Sequence, residues 1–265
     1  MTFERISYEC VKGDIARITL RDPATRNAYT LAMCREILQA TADFANQDEA
    51  RVLIVSGAGG AFCSGGNLHS EEIEIGDTRI FGHAAVLRES MHAVNLALQR
   101  LDKPTIAMID GAAVAGGLAL ALSCDFRIAS DRARLGDPSG RAGLLPDEGG
   151  VWLWPHVMGL ERALRMTLFG EIYDAAEALR LGLVGEVVPS DQLETRVQEF
   201  AVTLAAKAPL VVRTVKRMMR RSLDQTFEQS LGDVSFVVDF INHSEDAREG
   251  IAAFREKRAP QFAGR

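Results

Sequence analysis

Two glycine-rich stretches contain the residues of this sequence that are best suited to chemistry. The first, RVLIVSGAGGAFCSGGNL, spans residues 51–68 and places five glycines within ten positions after a short β-branched run. The second, PTIAMIDGAAVAGGLALALSCDFRIAS, spans residues 104–130 and repeats the order of strand, glycine and small residues up to a Gly116-Gly117 pair. Glycine lets a backbone turn through positive φ and expose its N–H groups to a ligand. Two such units can aim two amides at one point, which is the geometry that stabilises an oxyanion.

Neither stretch fits a nucleotide-binding motif. The first lacks the G-x-G-x-x-G spacing with a following helix and acidic residue, and it also lacks the G-x-x-x-x-G-K-[ST] pattern. Taken alone, it could be a glycine-rich surface turn. Cys63 lies inside it and could act as a thiolate nucleophile, but His69 is the only histidine nearby, so we expect a small core residue instead.

Five segments resemble the enoyl-CoA hydratase/isomerase (crotonase) family, in the family's order and over nearly the whole chain. They are RNA (26–28), AFCSGGNL (61–68), DGAAVAGGLALALSCD (110–125), GLLPDEGG (143–150) and AFREKRAPQF (253–262). The resemblance implies an α/β, ClpP-like spiral of repeated ββα units in residues 1–190. It further implies a helical trimerisation region in residues 191–265, giving a homotrimer or a dimer of trimers. The implied substrate is an acyl-CoA thioester, with no separate cofactor and no metal.

The resemblance also implies site residues. Matching the motifs residue by residue places the two oxyanion amides at Gly66 and Gly116. The coenzyme A groove would run along four residues of two loops. Two residues of the tail would reach the adenosine moiety, either of the coenzyme A in the same subunit or of that in a neighbouring subunit. These six residues are Arg26, Ala28, Ser64, Gly65, Phe254 and Lys257. Arg26 could equally be an ordinary exposed loop arginine.

The acid/base positions are where the sequence departs from its relatives. A hydratase of the common type has glutamates at the positions of Ala119 and Ser139. A methyl group cannot activate water, and a serine without a base transfers protons poorly, so a two-glutamate hydration is in doubt. Asp147 remains, and its PDxGG context is similar to the aspartate-bearing isomerases of the family, such as epoxyphenylacetyl-CoA and dienoyl-CoA isomerases.

We therefore predict that Asp147 is the general base and acid of a reaction that shifts a double bond or opens a ring. Glu148, His92 and Ser139 are further catalytic candidates. A competing interpretation is that Asp147 and Glu148 only cap the helix that begins near Gly149. His92 could likewise be an exposed helical histidine.

Three other functions remain open at this stage. The first is hydration with a single carboxylate. The second is hydrolysis or dehalogenation with Asp147 as nucleophile, as in the similar 4-chlorobenzoyl-CoA dehalogenases, although Ser139 stands near the position of their loop tryptophan. The third is a non-catalytic protein that binds acyl-CoA or nucleic acid. Trp152 and Trp154 are expected in the pocket wall or the core rather than at a halide site.

Composition is that of an ordinary globular chain. The 265 residues are 47% hydrophobic and 25% charged, and a net charge of −6 opposes nonspecific binding to nucleic acid. Five basic residues cluster on one predicted helix, where we expect a solvated face or a subunit contact: Arg213, Lys216, Arg217, Arg220 and Arg221. Four scattered cysteines fit neither a disulfide framework nor a zinc site. Without a signal pattern or a long apolar run, we expect a cytoplasmic protein that does not bind membranes.

Periodicity predicts several elements around these loops. Residues 3–20 read as a hairpin, and Thr30 as the cap of a helix. A helix is predicted over about residues 84–101, with Leu87, Met91, Val94 and Leu98 toward the core. The charged segment 69–82 is expected to be a mobile cover of the acyl pocket. The chain is predicted to be helical from residue 191 onward.

Overall fold

The computed structural model of the protein describes residues 3–12, 14–67 and 82–265. The predicted cover of the acyl pocket, residues 69–82, therefore lies outside the described residues except for Gly82.

A six-stranded sheet forms the centre of the fold. Its order is β1-β2-β3-β4-β6-β9, in which β1 pairs antiparallel with β2 and every other pair is parallel. The strands are β1 (Ile6–Lys12), β2 (Ile15–Leu20), β3 (Val52–Gly57), β4 (Thr105–Ile109), β6 (Phe126–Ser130) and β9 (Glu186–Val188). The predicted hairpin is thus present. Val52 to Val55 are fully buried on both faces, as an apolar run in a parallel sheet should be.

A smaller sheet supports the second glycine stretch. It has the order β5-β7-β8 and consists of β5 (Ala112–Val114), β7 (Arg134–Gly136) and β8 (Ile172–Asp174). Because β5 follows β4 after two residues, the chain steps from one sheet to the other just before the Gly116-Gly117 pair.

Helices surround both sheets. The N-terminal and central ones are α1 (Leu31–Asn46), α2 (Gly82–Glu89), α3 (Met91–Arg100), α4 (Gly116–Ser123), α5 (Gly150–Met158), α6 (Leu160–Phe169) and α7 (Ala175–Arg180). The C-terminal ones are α8 (Leu193–Ala205), α9 (Pro209–Ser222), α10 (Phe227–Asn242) and α11 (Glu245–Glu256). Thr30 caps α1 as predicted, since its Oγ1 accepts a hydrogen bond from the N–H of Met33. In place of the single helix predicted over residues 84–101, the structure has two helices, α2 and α3, separated at Ser90. The four residues predicted to face the core are all buried.

The helix α8 packs on the central sheet. Leu193, Val197 and Ala201 form one apolar cluster with strand residues that include Ile54 and Ile106. The predicted boundary at residue 191 assigns α8 to the helical region, but its apolar face is buried against the strands of the preceding region.

The basic residues of α9 contact acidic side chains. Arg213 pairs with Asp102, and both Lys216 and Arg220 pair with Asp125. Much of this positive charge is therefore balanced within the chain. Across the described ranges, no helix is both long and apolar enough to cross a membrane.

Candidate active site

Backbone hydrogen bonds join the two glycine-rich stretches side by side. The N–H groups of Phe62 and Cys63 each donate to the carbonyl of Ala112 at 2.9 Å, and the N–H of Val114 donates to the carbonyl of Cys63 at 3.1 Å. Gly65 has φ +94°, and a Cβ added to it would lie 3.5 Å from the nitrogen of Gly116. The two loops thus lie against each other at Gly65 and Gly116.

Within the described part of the chain, the fold does not use the two predicted oxyanion amides in its own hydrogen bonds. Gly116 is the first residue of α4, whose first-turn N–H groups have no partner within the helix. Among the described residues, neither the Gly66 nor the Gly116 N–H donates to a protein acceptor. The positive end of the α4 dipole adds to the attraction for an anion. Two unpaired amides beside one helix end can bind a thioester oxygen as it becomes negative.

Glu148 is buried next to this helix end. Its side chain accepts a hydrogen bond from the Tyr29 hydroxyl, with 2.7 Å between Oη and Oε1. Its backbone carbonyl accepts a hydrogen bond from Nδ2 of Asn95 at 2.7 Å. A Cβ built on Gly116 would lie only 2.6 Å from Oε1 of Glu148. A side chain at position 116 would therefore collide with the carboxyl and with Cε1 of Tyr29, which is also 2.6 Å from that Cβ position.

Burial raises the pKa of Glu148 to about 7, as the main cause. The Tyr29 hydrogen bond lowers this pKa, whereas repulsion by the Asp147 carboxylate raises it. Burial and the neighbouring Glu148 raise the pKa of Tyr29 far above neutral, so its hydroxyl stays protonated and acts as the donor. The site therefore holds a carboxyl that exchanges its proton near neutral pH.

Asp147 lies at the edge of the site, with its side chain 35% exposed. Its Oδ2 is 3.3 Å from Nε2 of His83. Its backbone carbonyl is 2.6 Å from Nε2 of His92, and because a carbonyl only accepts, that nitrogen carries a proton. His92 is half-buried rather than exposed, so the exposed-histidine interpretation is wrong. His92 holds the Asp147 backbone, and His83 contacts the carboxylate itself.

The two carboxyls do not cap α5. The N-cap residue of α5 is Gly149, with φ +112°, and the cap lacks a side-chain hydrogen bond. Capping of α5 by a hydrogen bond to either side chain is therefore not observed. The positive φ of Gly149 instead turns the chain between Glu148 and the start of α5.

Ser139 is part of a buried structural network. Its Oγ donates to Oδ1 of Asp137 at 2.5 Å, while Trp154 Nε1 and Thr167 Oγ1 donate to Oδ2 of the same carboxylate. Asp137 is fully buried, and these donors satisfy its oxygens. The Ser139 hydroxyl is thus committed to Asp137, and the Trp154 indole lies in the core. Trp152, in contrast, is 44% exposed and stacks on His156.

Four of the six predicted coenzyme A residues lie together. Ser64 donates its N–H to the carbonyl of Arg26 and its Oγ to the carbonyl of Thr25. The N–H of Tyr29 donates to the carbonyl of Gly65, which brings Ala28 alongside the same loop. Arg26 is exposed at φ +56°. No described contact joins Phe254 or Lys257, both exposed on or just after α11, to this strip.

Cys63 is a core residue, as expected. Its side chain is fully buried, and burial raises the pKa of its thiol to about 12. A thiol at this pKa holds its proton at neutral pH and is a poor nucleophile. Within the described residues, no group of histidine, cysteine, aspartate and glutamate could hold a metal ion.

Sequence reasoning missed three polar residues of the site, namely Tyr29, Asn95 and His83. Tyr29 directly follows the RNA segment, but its partner Glu148 is 119 positions away. Asn95 is buried, and its Oδ1 has no hydrogen-bond partner among the described residues. A polar residue on the core face of α3 was the available signal for Asn95.

Comparisons with known proteins find similar sequences and structures that cover nearly the whole chain. A family model described as enoyl-CoA hydratase/isomerase matches residues 11–265. A probable enoyl-CoA hydratase of Rhodobacter capsulatus is 35% identical over 265 residues, covering 100% of both chains. A trans-2-decenoyl-[acyl-carrier-protein] isomerase of Streptococcus mutans is 30% identical over 268 residues, again covering 100% of both. The crystal structure of an enoyl-CoA hydratase from Bacillus anthracis superposes with a TM-score of 0.92 at 29% identity, covering 99% of this chain and 100% of that one.

Proposed function

Because the chain belongs to the enoyl-CoA hydratase/isomerase family, we propose that it is an acyl-CoA isomerase that uses Asp147 as acid and base. The thioester oxygen binds to the N–H groups of Gly66 and Gly116, which stabilise the enolate. Asp147 removes a proton from one carbon of the acyl chain and returns a proton to another. The product is an acyl-CoA with a shifted double bond or, for a strained substrate, an opened ring.

The observation that carries this proposal is the pair of unpaired amides with a carboxyl loop beside it. Ala119 supplies no carboxyl, and Ser139 is bonded to Asp137. The acid/base work then falls to residues 147 and 148, of which Asp147 is the more accessible. His83 and His92 fix its side chain and backbone, which suits a group that must meet substrate in a defined orientation.

Hydration with a single carboxylate is the second candidate, because the Rhodobacter capsulatus relative is named as a probable hydratase. Adding water requires one group to activate the water and a proton source for the enolate. Dehalogenation with Trp154 as the halide ligand receives less support, because the indole N–H of Trp154 is bonded to Asp137.

The variant Asp147→Asn tests the proposal. Turnover of a panel of 3-enoyl-CoA and 2-enoyl-CoA thioesters should fall about 10²–10⁴-fold, because an amide cannot accept the proton. Thermal stabilisation by the same thioesters should persist, because ligand binding to the native state raises the melting temperature regardless of turnover. The matched control is Asp191→Asn, which removes an exposed aspartate near α8 and should leave turnover unchanged.

Products separate the candidates. A shifted double bond with deuterium from solvent but no net addition of water supports isomerisation. Accumulation of 3-hydroxyacyl-CoA supports hydration, and a trapped acyl-aspartate supports the nucleophile. Wild-type turnover retained in Asp147→Asn would exclude any catalytic role for this residue.

A further inference from the structure

Glu148 brings a carboxyl to the helix end that carries one of the oxyanion amides. It is only 8% exposed, and its Oε1 would lie 2.6 Å from a Cβ on Gly116. Gly116 and Ala119 are three residues apart on α4 and share a helix face. The Glu148 carboxyl therefore approaches the face from which the expected glutamate at position 119 is missing.

Glu148 has no ordinary structural reason to be a carboxylic acid. It does not cap α5, and in the part of the chain that the structure describes, no lysine, arginine or histidine forms an ion pair with it. A buried carboxyl without a cation costs folding free energy that a glutamine or methionine would avoid. Uncompensated burial of this kind is typical of groups that act in chemistry.

The groups that face Glu148 determine whether its carboxyl is protonated. They are the Tyr29 hydroxyl, the Cys63 thiol and, from its own loop, the Asp147 carboxyl. Burial raises the pKa of both Tyr29 and Cys63, so both are uncharged at neutral pH. Asp147 raises the pKa of Glu148 by its charge and by accepting a hydrogen bond from the neutral acid. The Glu148 acid therefore carries a proton that it can give up near neutral pH.

We propose that Asp147 and Glu148 act as a pair, in which Asp147 removes a proton from the acyl chain and Glu148 delivers one to another carbon, with Tyr29 as the positioning residue for Glu148. This inference rests on the proposed isomerase function and replaces its single acid/base group by two. The short Tyr29 contact fixes the Glu148 carboxyl, and the exposed Asp147 carboxylate meets the substrate from the open side.

The step balances for a 3-enoyl-CoA. The Asp147 carboxylate takes a proton from C2, the electron pair of that C–H bond forms the double bond between C1 and C2, and the carbonyl π pair moves onto the thioester oxygen, which the two amides hold. The dienolate then takes a proton at C4 from the Glu148 acid, which leaves the double bond between C2 and C3. Asp147 is now neutral and Glu148 charged, and transfer of one proton from Asp147 to Glu148 restores the pair.

The test uses Glu148→Gln, which keeps the size of the side chain and an acceptor for Tyr29. With trans-3-hexenoyl-CoA and trans-3-decenoyl-CoA in D₂O, the 1,3-shift should fall about 10²-fold or more. Exchange of the C2 proton for deuterium should continue within about tenfold of wild type, because Asp147 still removes that proton. Proton exchange without isomerisation is an outcome that a merely structural Glu148 would not produce.

Tyr29→Phe gives a second readout. The Tyr29 hydrogen bond lowers the pKa of Glu148, so its removal should raise that pKa. Because Glu148 must be protonated to act as the acid, the alkaline limb of kcat should move to higher pH in Tyr29→Phe and disappear in Glu148→Gln. A limb that stays at the wild-type pH in both variants would overturn the pair.

The failures of the two proposals are distinguishable. Glu148→Gln that isomerises within about threefold of wild type overturns the pair but leaves Asp147 as a single acid and base. Loss of C2 exchange, isomerisation and thermal stabilisation together shows that Glu148 maintains the fold, and also overturns the pair. If wild type neither exchanges the C2 proton nor isomerises any thioester of the panel, the proposed function itself is wrong.

Discussion

A single buried side chain, Glu148, accounts for most of the unusual electrostatics of the site. Its neighbours are a neutral tyrosine, a neutral thiol and another carboxyl rather than a cation. The folded protein therefore prefers the protonated form of Glu148 more strongly than the unfolded chain does. This preference links the stability of the fold to pH in a direction opposite to that of a salt-bridged carboxylate.

Stability should fall as pH rises from about 4.5 to about 7. Burial raises the pKa of Glu148 from 4.5 to about 7 on folding. Between these two values the folded state binds more protons than the unfolded state, so the free energy of unfolding decreases with rising pH. The loss is complete above the folded pKa and amounts to at most about 3 kcal/mol for one group.

Urea unfolding at about pH 5 and about pH 7.5 checks this prediction. Wild type should lose more unfolding free energy than Glu148→Gln between the two values, because glutamine does not titrate. Parallel losses in both proteins would contradict the prediction, since they would place the pH dependence in other residues.

At the scale of elements, Asp125 attaches α9 to the sheet. It accepts hydrogen bonds from the N–H and Oγ1 of Thr105 on β4, and it pairs with Lys216 and Arg220 on α9. The Lys216 side chain is only 8% exposed, and burial lowers its pKa as the main cause. Asp125 is therefore the counter-charge that makes burial of this ammonium tolerable.

Asp125→Asn should destabilise the protein by about 3 kcal/mol, because it leaves Lys216 buried beside a neutral group. The matched control is Asp233→Asn, which removes the partner of Arg221, a side chain that is 67% exposed. An exposed pair contributes less than about 1 kcal/mol. The measurement is the free energy of unfolding in urea, and equal effects of the two variants would show that the Asp125 contacts are no stronger than a surface pair.

Elements that depend on residues close together in the sequence could be predicted. The hairpin of β1 and β2 and the Thr30 cap follow from alternation and from residue type. The family and the crotonase fold, inferred from five segments, are confirmed. The break at Ser90 was missed because α2 and α3 share one apolar stripe that continues across it.

Contacts between distant residues could not be predicted. Tyr29 and Glu148 come from separate loops, and only the folded chain brings the hydroxyl to the carboxyl. The sequence predicted Asp147 as the acid/base residue and Glu148 only as a further catalytic candidate. Burial separates the two side chains, and burial at a turn such as residues 146–149 depends on packing of α3 and α5 rather than on local sequence.

At the scale of the whole molecule, the C-terminal helices expose large apolar side chains. On α10, Phe227, Phe236 and Phe240 are 80%, 89% and 68% exposed, and Met219 on α9 is 68% exposed. Exposure of several large apolar side chains on neighbouring helices is typical of a subunit interface. In the predicted homotrimer or dimer of trimers, other copies of the same chain would cover this surface.

Phe236→Asp should therefore weaken self-association, because a carboxylate placed in an apolar interface must be desolvated without a partner. Light scattering with size-exclusion chromatography should give a trimer or hexamer for wild type and a smaller species for the variant. Leu179→Asp, at a 44% exposed leucine on α7, is the control and should keep the wild-type mass. If Phe254 and Lys257 contact the coenzyme A of a neighbouring subunit, these contacts would be lost together with the interface, and Phe236→Asp should also raise KM for an acyl-CoA. An unchanged mass in Phe236→Asp would show that α10 does not form the interface.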